Sequence, residues 1–120
     1  MLHKQLVIYK GKALSIKEPY STLILKGKKT IETRTWKTNY RGELLLCASK
    51  KPASAISGCA FAVAKLSNCL PMQEIDEKLA CCEIYNNAYS WFLKDIQAIK
   101  PIPVKGKLGL FEINIEIEYL

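Results

Sequence analysis

Short segments in which apolar and polar residues alternate, a pattern typical of β-strands, account for much of this chain. The clearest is residues 110–119, where Phe111 begins a series of mostly apolar residues at every second position and Glu112 begins a series of polar ones. That period of two predicts a strand with one buried and one exposed face. Apolar or alternating segments predict further strands at residues 4–9, 12–16, 30–36, 43–49, 58–66 and 89–93.

Two segments have helical spacing instead. Pro19 suits a first helical turn, which does not need its missing amide hydrogen, and Tyr20 and Ile24 then share one apolar face. Gly27 is suited to end this helix in the left-handed conformation. Residues 73–84 predict a second helix. Many strands, few helices and no strand–helix–strand rhythm predict an α+β fold built on a closed or nearly closed barrel, antiparallel or mixed.

The length and composition are those of one soluble domain covering residues 1–120. The chain has 120 residues, 49% hydrophobic and 24% charged, which excludes a disordered protein. No linker, repeat or low-complexity segment divides it. Residues 1–12 contain too short an apolar run for a signal peptide, and no apolar run in the sequence approaches the length of a membrane span.

Positive charge is concentrated in the first half of the chain. The formal net charge is +7, and residues 1–60 contain 12 basic and 3 acidic side chains, whereas residues 61–120 contain 6 and 8. This asymmetry predicts a basic face that attracts polyanions, of which phosphates are the commonest.

The cysteines predict neither a metal site nor disulfide bonds. Their number is five, without C-x-x-C spacing, and His3 is the only histidine. We therefore expect reduced thiols in a cytoplasmic protein, with no metal and no cofactor.

Residues 27–34 carry the most specific chemical pattern. Gly27 allows a sharp turn, Lys29 follows it, and Glu32 and Arg34 lie on one face of the predicted strand. A carboxylate between two cations can hold one of them in place while the other binds an anionic ligand, or it can accept hydrogen bonds from a base edge. The alternative is a solvated surface ion pair with little effect on stability.

The same residues reproduce the G-x-K-x-x-E-x-R signature of the activating-signal-cointegrator-homology (ASCH) domains, and the chain resembles that family. Residues 13–50 resemble its first strand, helix and next two strands, and residues 89–113 resemble its closing segment. The resemblance implies a PUA-like β-barrel of about five to six strands with two or three short helices. It also implies an RNA-binding cleft lined by Lys29, Glu32 and Arg34.

Other residues are then candidates for the same cleft. Lys105 and Lys107 would form its opposite wall if the closing loop folds over it, and Arg41 would bind phosphate from a neighbouring turn. Aromatic side chains are candidates to stack on bases, and these are Trp36, Tyr20 and Trp91.

The leading hypothesis is a module that binds RNA, a nucleotide or a modified nucleoside. The alternative is a hydrolase in which Lys29 and Glu32 act as an acid–base pair on RNA or on a modified nucleoside. Relatives that hydrolyse N4-acylated cytidine resemble this chain, but their threonine nucleophile corresponds to Glu32 here. Thr33 is expected on the other strand face. A protein-interaction module is a third class.

Overall fold

The computed structural model describes residues 5–120. Two short α-helices lie in this range, α1 (Tyr20–Leu25) after the first strand and α2 (Glu77–Ala80) before the fifth. A 3₁₀ turn (Glu74–Asp76) leads into α2. The strands are β1 (Gln5–Ile16), β2 (Ile31–Arg34), β3 (Gly42–Ala48), β4 (Cys59–Pro71), β5 (Tyr89–Pro103) and β6 (Leu110–Tyr119).

The strands form one mixed sheet in the order β2-β5-β4-β3-β1-β6. β1 is parallel to β3, and the other neighbouring strands are antiparallel. An additional pairing of Ile99 in β5 with Tyr119 in β6 joins the sheet to itself, so that five strands close a ring and β2 is attached to β5 outside it. The predicted small β-barrel with short helices is confirmed.

Both faces of β3 are buried, as its continuous apolar sequence predicts. Leu45 and Cys47 pack with residues of the other four ring strands, which places them inside the barrel. Leu44 and Leu46 belong to a second cluster that includes Ile24 of α1. The helix therefore covers the outer face of the barrel beside β3, and a short turn connects its C-terminal end to β2.

Several predicted elements differ from the structure in extent. The strands predicted at residues 4–9 and 12–16 are one strand, and Lys4, like His3, lies outside the described residues. The helix predicted over residues 73–84 is wrong beyond Ala80, because Cys81 adopts a left-handed conformation with φ of 57°. The amide of Ile84 donates instead to Glu77 Oε2 at 2.7 Å, and this bond turns the chain back towards β5.

β5 is much longer than the predicted strand over residues 89–93, because it continues through two prolines to Pro103. The amide of Val104 donates to Gly58 in the β4 direction, so the nitrogens of Pro101 and Pro103 face the opposite edge. Beyond Ile99 that edge has no strand partner within residues 5–120. The missing amide hydrogens therefore remove no ladder hydrogen bonds.

Candidate functional site

The start of α1 is held by a buried carboxylate. Glu18 accepts hydrogen bonds from the Thr22 amide at 2.7 Å and from the Thr22 hydroxyl at 2.5 Å. Burial alone would raise the pKa of Glu18, but hydrogen bonds from Ser54 and Thr22 outweigh it and lower that pKa below its ordinary value. The carboxylate thus satisfies an amide in the first helical turn, which has no partner within the helix.

The turn between α1 and β2 positions Lys29. Gly27 has φ of 77°, a conformation that favours glycine, and the Lys29 amide donates to the carbonyl of Leu23 at 3.1 Å. The next amide, that of Thr30, donates to Leu79 of α2 at 3.0 Å. The helix ending at Gly27 was predicted from the sequence, and the contact with α2 was not.

Lys29 is a buried cation with three compensating partners. Its side chain is only 1% exposed, and Nζ donates to the carbonyl of Ala80 at 2.6 Å. Nζ also lies 3.5 Å from Glu32 Oε1 and 4.8 Å from the centroid of the Tyr20 ring. A buried ammonium requires such compensation. Lys29 therefore supports the Glu32 carboxylate from the buried side of the site.

Glu32 divides its two carboxylate oxygens between two cations. Oε1 faces Lys29, and Oε2 lies 3.1 Å from Nε and 3.0 Å from Nη2 of Arg34. Nη2 of Arg34 also donates to the carbonyl of Ser15, near the end of β1, at 2.6 Å. The predicted Lys29–Glu32–Arg34 cluster is thus assembled around a carboxylate whose residue is 6% exposed.

Arg34 is fixed by these contacts but retains free donors. Nε and Nη2 are occupied, whereas Nη1 makes no hydrogen bond to any side chain or backbone group within residues 5–120. A guanidinium held on one side and free on the other is preorganised to bind an anion, because little side-chain freedom remains to be lost.

Trp36 lies just beyond β2 and is 37% exposed. Its ring packs edge-on against Trp91, with the centroids 4.7 Å apart and the planes at 88°, and Trp91 Nε1 donates to the Trp36 carbonyl at 3.3 Å. Trp91 itself is fully buried and belongs to the core. Of the two tryptophans, Trp36 therefore has the ring surface available for stacking.

A cavity of about 570 Å³ brings several of these residues together, and we call it the Arg34 cavity. Five of the predicted residues line it, and the cavity lies between the start of α1, β2 and the loop before β6. These five are Tyr20, Glu32, Arg34, Trp36 and Lys107.

The sequence did not indicate one wall of the Arg34 cavity. Tyr85 donates from its hydroxyl to Thr33 Oγ1 at 2.9 Å, and the Cys82 sulfur lies 3.8 Å from the same oxygen. All three residues line the cavity, as does Lys17. Thr33 lies on the strand face opposite Glu32, as predicted, yet it reaches the cavity because β2 ends there. Tyr85 belongs to an irregular loop whose position no periodicity reveals.

A second cavity of about 460 Å³ adjoins the first, and we call it the Lys105 cavity. Of these two cavities, Lys50 and Lys105 line only the second, whereas Lys107 lines both. The shared wall also includes Ser15 and Ser49. The predicted wall of two lysines therefore lies at the junction of two cavities and not inside one.

Arg41 is separate from both cavities. Its Nη1 donates to the carbonyls of Thr38 at 2.9 Å and Tyr40 at 2.8 Å, and Nη2 lies 3.4 Å from the Asn68 side-chain oxygen. The turn that contains Arg41 is thus braced by this side chain. The structure does not bring Arg41 to the other predicted residues.

The described part of the chain contains five free cysteines and no group of three or more His, Cys, Asp or Glu side chains that could hold a metal ion. In residues 5–120, the helices are all too short or too polar to cross a bilayer.

Comparison with known proteins identifies one family. The sequence profile of the ASCH domain matches residues 14–103, which is well over half of the chain. Activating signal cointegrator 1 of Homo sapiens is 23% identical over 133 aligned positions, and the protein of that name from Mus musculus matches to the same extent. These alignments cover 89% of this chain but 23% of either relative, so the chain spans about a quarter of their length.

Solved structures agree on the fold. The crystal structure of ASCH from Zymomonas mobilis superimposes with a TM-score of 0.67 and 16% identity, over 85% of this chain and 86% of that one. A variant of the Zymomonas mobilis protein gives a TM-score of 0.64 at 16% identity, over 88% and 91% of the two chains.

Proposed function

The chain belongs to the ASCH domain family, and we propose that it binds RNA or a nucleotide in the Arg34 cavity. The observation that carries this proposal is the arrangement of Arg34, whose Nε and Nη2 are held by Glu32 while Nη1 is free. In this proposal Nη1 donates to a phosphate oxygen, and Glu32 keeps the guanidinium in place.

The charges around the cavity support an anionic ligand. Lys17, Arg34 and Lys107 line it, with Glu32 as the acidic residue among the lining side chains. Since the Glu32 carboxylate is already shared by Lys29 and Arg34, the exposed lysines retain their full attraction for phosphate.

The size and the aromatic wall support a nucleotide rather than a simple anion. A cavity of about 570 Å³ lies within the range of small-molecule binding sites. Trp36 offers an exposed ring beside Arg34, and stacking of a base on an aromatic ring contributes about 1–3 kcal/mol. Phosphate and base would then be bound by two different walls of one cavity.

Binding is better supported than the hydrolase alternative. An acid–base mechanism requires Lys29 to reach the substrate, but its Nζ is buried and donates to the Ala80 carbonyl. Glu32 does line the cavity, yet both of its oxygens face cations.

The cytoplasm is the compartment that we propose for this activity, because five free thiols suit a reducing environment.

The test is a titration of fluorescein-labelled single-stranded RNA and of a nucleoside monophosphate with the purified protein at several salt concentrations. Arg34→Ala is expected to weaken both ligands about tenfold or more, and Trp36→Ala is expected to weaken them by about 1–3 kcal/mol. Affinity should fall as salt rises.

Lys94→Ala is the control, since Lys94 is exposed on β5 and lines neither cavity. If Arg34→Ala binds as tightly as Lys94→Ala, the proposed site is wrong. Turnover of RNA or of N4-acylated cytidine that is lost in Glu32→Gln would favour the hydrolase instead.

A further inference from the structure

We propose that the Lys105 cavity binds the phosphate next to the one at Arg34, which makes single-stranded RNA, and not a free nucleotide, the preferred ligand. This inference rests on the proposed function and extends it from one nucleotide to a chain. It requires the two cavities to adjoin each other, the second to suit a phosphate, and the lysines around it to be free to bind one.

The two cavities adjoin at Ser15 and Lys107, which line both of them. Gly106 passes directly over Ser15 at this junction. A Cβ at position 106 would lie 2.6 Å from the Ser15 hydroxyl oxygen, a distance at which the atoms would clash. The absence of a side chain at Gly106 therefore lets the closing loop pack onto β1, with Lys105 on one side of the junction and Lys107 at it.

The lining of the Lys105 cavity suits phosphate and not a base. Lys50, Lys105 and Lys107 contribute three positive charges, and the described residues that line this cavity include no acidic and no aromatic side chain. The Arg34 cavity differs, because it contains both the Glu32 carboxylate and the rings of Trp36 and Tyr20. In this proposal the Arg34 cavity binds a base together with its phosphate, and the Lys105 cavity binds a backbone phosphate alone.

Lys50 lies beside Gly58, where a Cβ would make an ordinary van der Waals contact with Lys50 Cγ at 3.4 Å. The ammonium groups of Lys50 and Lys105 make no hydrogen bond or ion pair within residues 5–120. Both are therefore available for a ligand.

A chain that continues from the Arg34 cavity into the Lys105 cavity must be single-stranded. Its first base leaves the stack to lie against Trp36, and the next phosphate then meets the lysines across the Ser15 junction. Leu108, which borders both cavities and is fully exposed, offers an apolar contact to the intervening sugar.

The test compares a uridine monophosphate with di- and tetrauridylate by isothermal titration or fluorescence anisotropy. For the wild type, affinity is expected to rise about tenfold or more from the mononucleotide to the tetranucleotide, because added backbone contacts act as a linked second site. In Lys50→Ala/Lys105→Ala this increase should be lost, while mononucleotide affinity stays within about twofold. The salt slope for the tetranucleotide should fall by about 0.7 for each lysine removed.

Lys65→Ala/Lys94→Ala is the matched control, since it removes the same charge from two exposed lysines outside both cavities. Equal wild-type affinity for the mono- and tetranucleotide, with dependence on Arg34 retained, would overturn the extension and leave the proposed function standing. So would a charge-matched control that loses the length dependence equally. Mononucleotide affinity unchanged by Arg34→Ala would instead overturn the proposed function itself.

Discussion

Glu32 Oε2 lies 3.1 Å from Nε and 3.0 Å from Nη2 of Arg34, so one carboxylate oxygen meets both nitrogens of one edge of the guanidinium. The other oxygen of the same carboxylate faces the buried ammonium of Lys29. Glu32 thus connects a cation in the protein interior with an arginine that lines the Arg34 cavity. A change at Glu32 is therefore expected to affect both stability and binding.

Replacing Glu32 with Gln should destabilise the fold, because the buried Lys29 ammonium loses its ion-pair partner. The loss of one member of a buried pair costs about 3–5 kcal/mol, and the retained amide shape places this variant at the lower end. Urea denaturation monitored by circular dichroism measures the change. In a double-mutant cycle, Lys29→Met/Glu32→Gln should recover part of the loss. Strictly additive effects would contradict the ion pair.

Replacing Gly106 with Ala should disturb the junction of the two cavities. The new Cβ would lie 2.6 Å from Ser15 Oγ, and overpacking of this kind costs about 1–3 kcal/mol or displaces the loop. Ser15→Ala/Gly106→Ala should restore stability and oligonucleotide affinity, since the nearest remaining atom is then Ser15 Cβ at 3.6 Å. Thermal unfolding and the tetranucleotide titration report the two effects. A double variant no better than Gly106→Ala would contradict this contact.

Glu18 should make stability depend on pH in the acidic range. Its folded pKa lies below the ordinary value of 4.5, so its contribution is complete above pH 4.5 and is lost as the pH falls through the folded pKa. Urea unfolding at pH 7 and at several values below 4.5 follows this decline. Glu18→Gln should lose about 1 kcal/mol at pH 7 and show a shallower decline. Identical pH profiles for both proteins would contradict the capping role.

Cys47 should be unreactive in the folded protein. Burial, with a smaller contribution from Cys59, raises the pKa of the Cys47 thiol to about 12, and the side chain lies inside the barrel. Iodoacetamide labelling at pH 8 followed by mass spectrometry should modify Cys47 only after denaturation, because the thiolate is the reacting species. Cys59, which is partly exposed, is the internal comparison. Equal labelling of both in the native protein would show that the barrel opens readily.

The sequence predicted the elements whose pattern is local. The alternation around Phe111 identified β6, and Pro19 and Gly27 bounded α1, because period and end residues depend on near neighbours. The signature residues also predicted the Lys29–Glu32–Arg34 cluster that the structure brings together. The burial of Lys29 could not be predicted from the sequence, because it depends on the Ala80 carbonyl, 51 residues away.

The wall of the Arg34 cavity that contains Tyr85 depends on long-range packing in the same way. Tyr85 reaches Thr33 because α2 ends at Cys81, which adopts the left-handed conformation. This conformation is usual for glycine or asparagine, so a cysteine at position 81 does not predict it. Lys105 was predicted, with Lys107, to form the opposite wall of the cleft if the closing loop folds over it. The packing of Gly106 against Ser15 instead places Lys105 in the adjoining cavity.

The most direct test is an NMR titration of the arginine side chains with uridine monophosphate. The chain has two arginines, and they differ in position, since Arg34 lines the cavity and Arg41 lines neither cavity. Spectra of the arginine Nε–H groups therefore contain one signal from the proposed site and one control signal. The Arg41→Lys variant assigns the two signals. We predict that the Arg34 signal shifts and saturates while the Arg41 signal stays in place. A stationary Arg34 signal at saturating nucleotide, or a shift confined to Arg41, would contradict a phosphate site at Arg34.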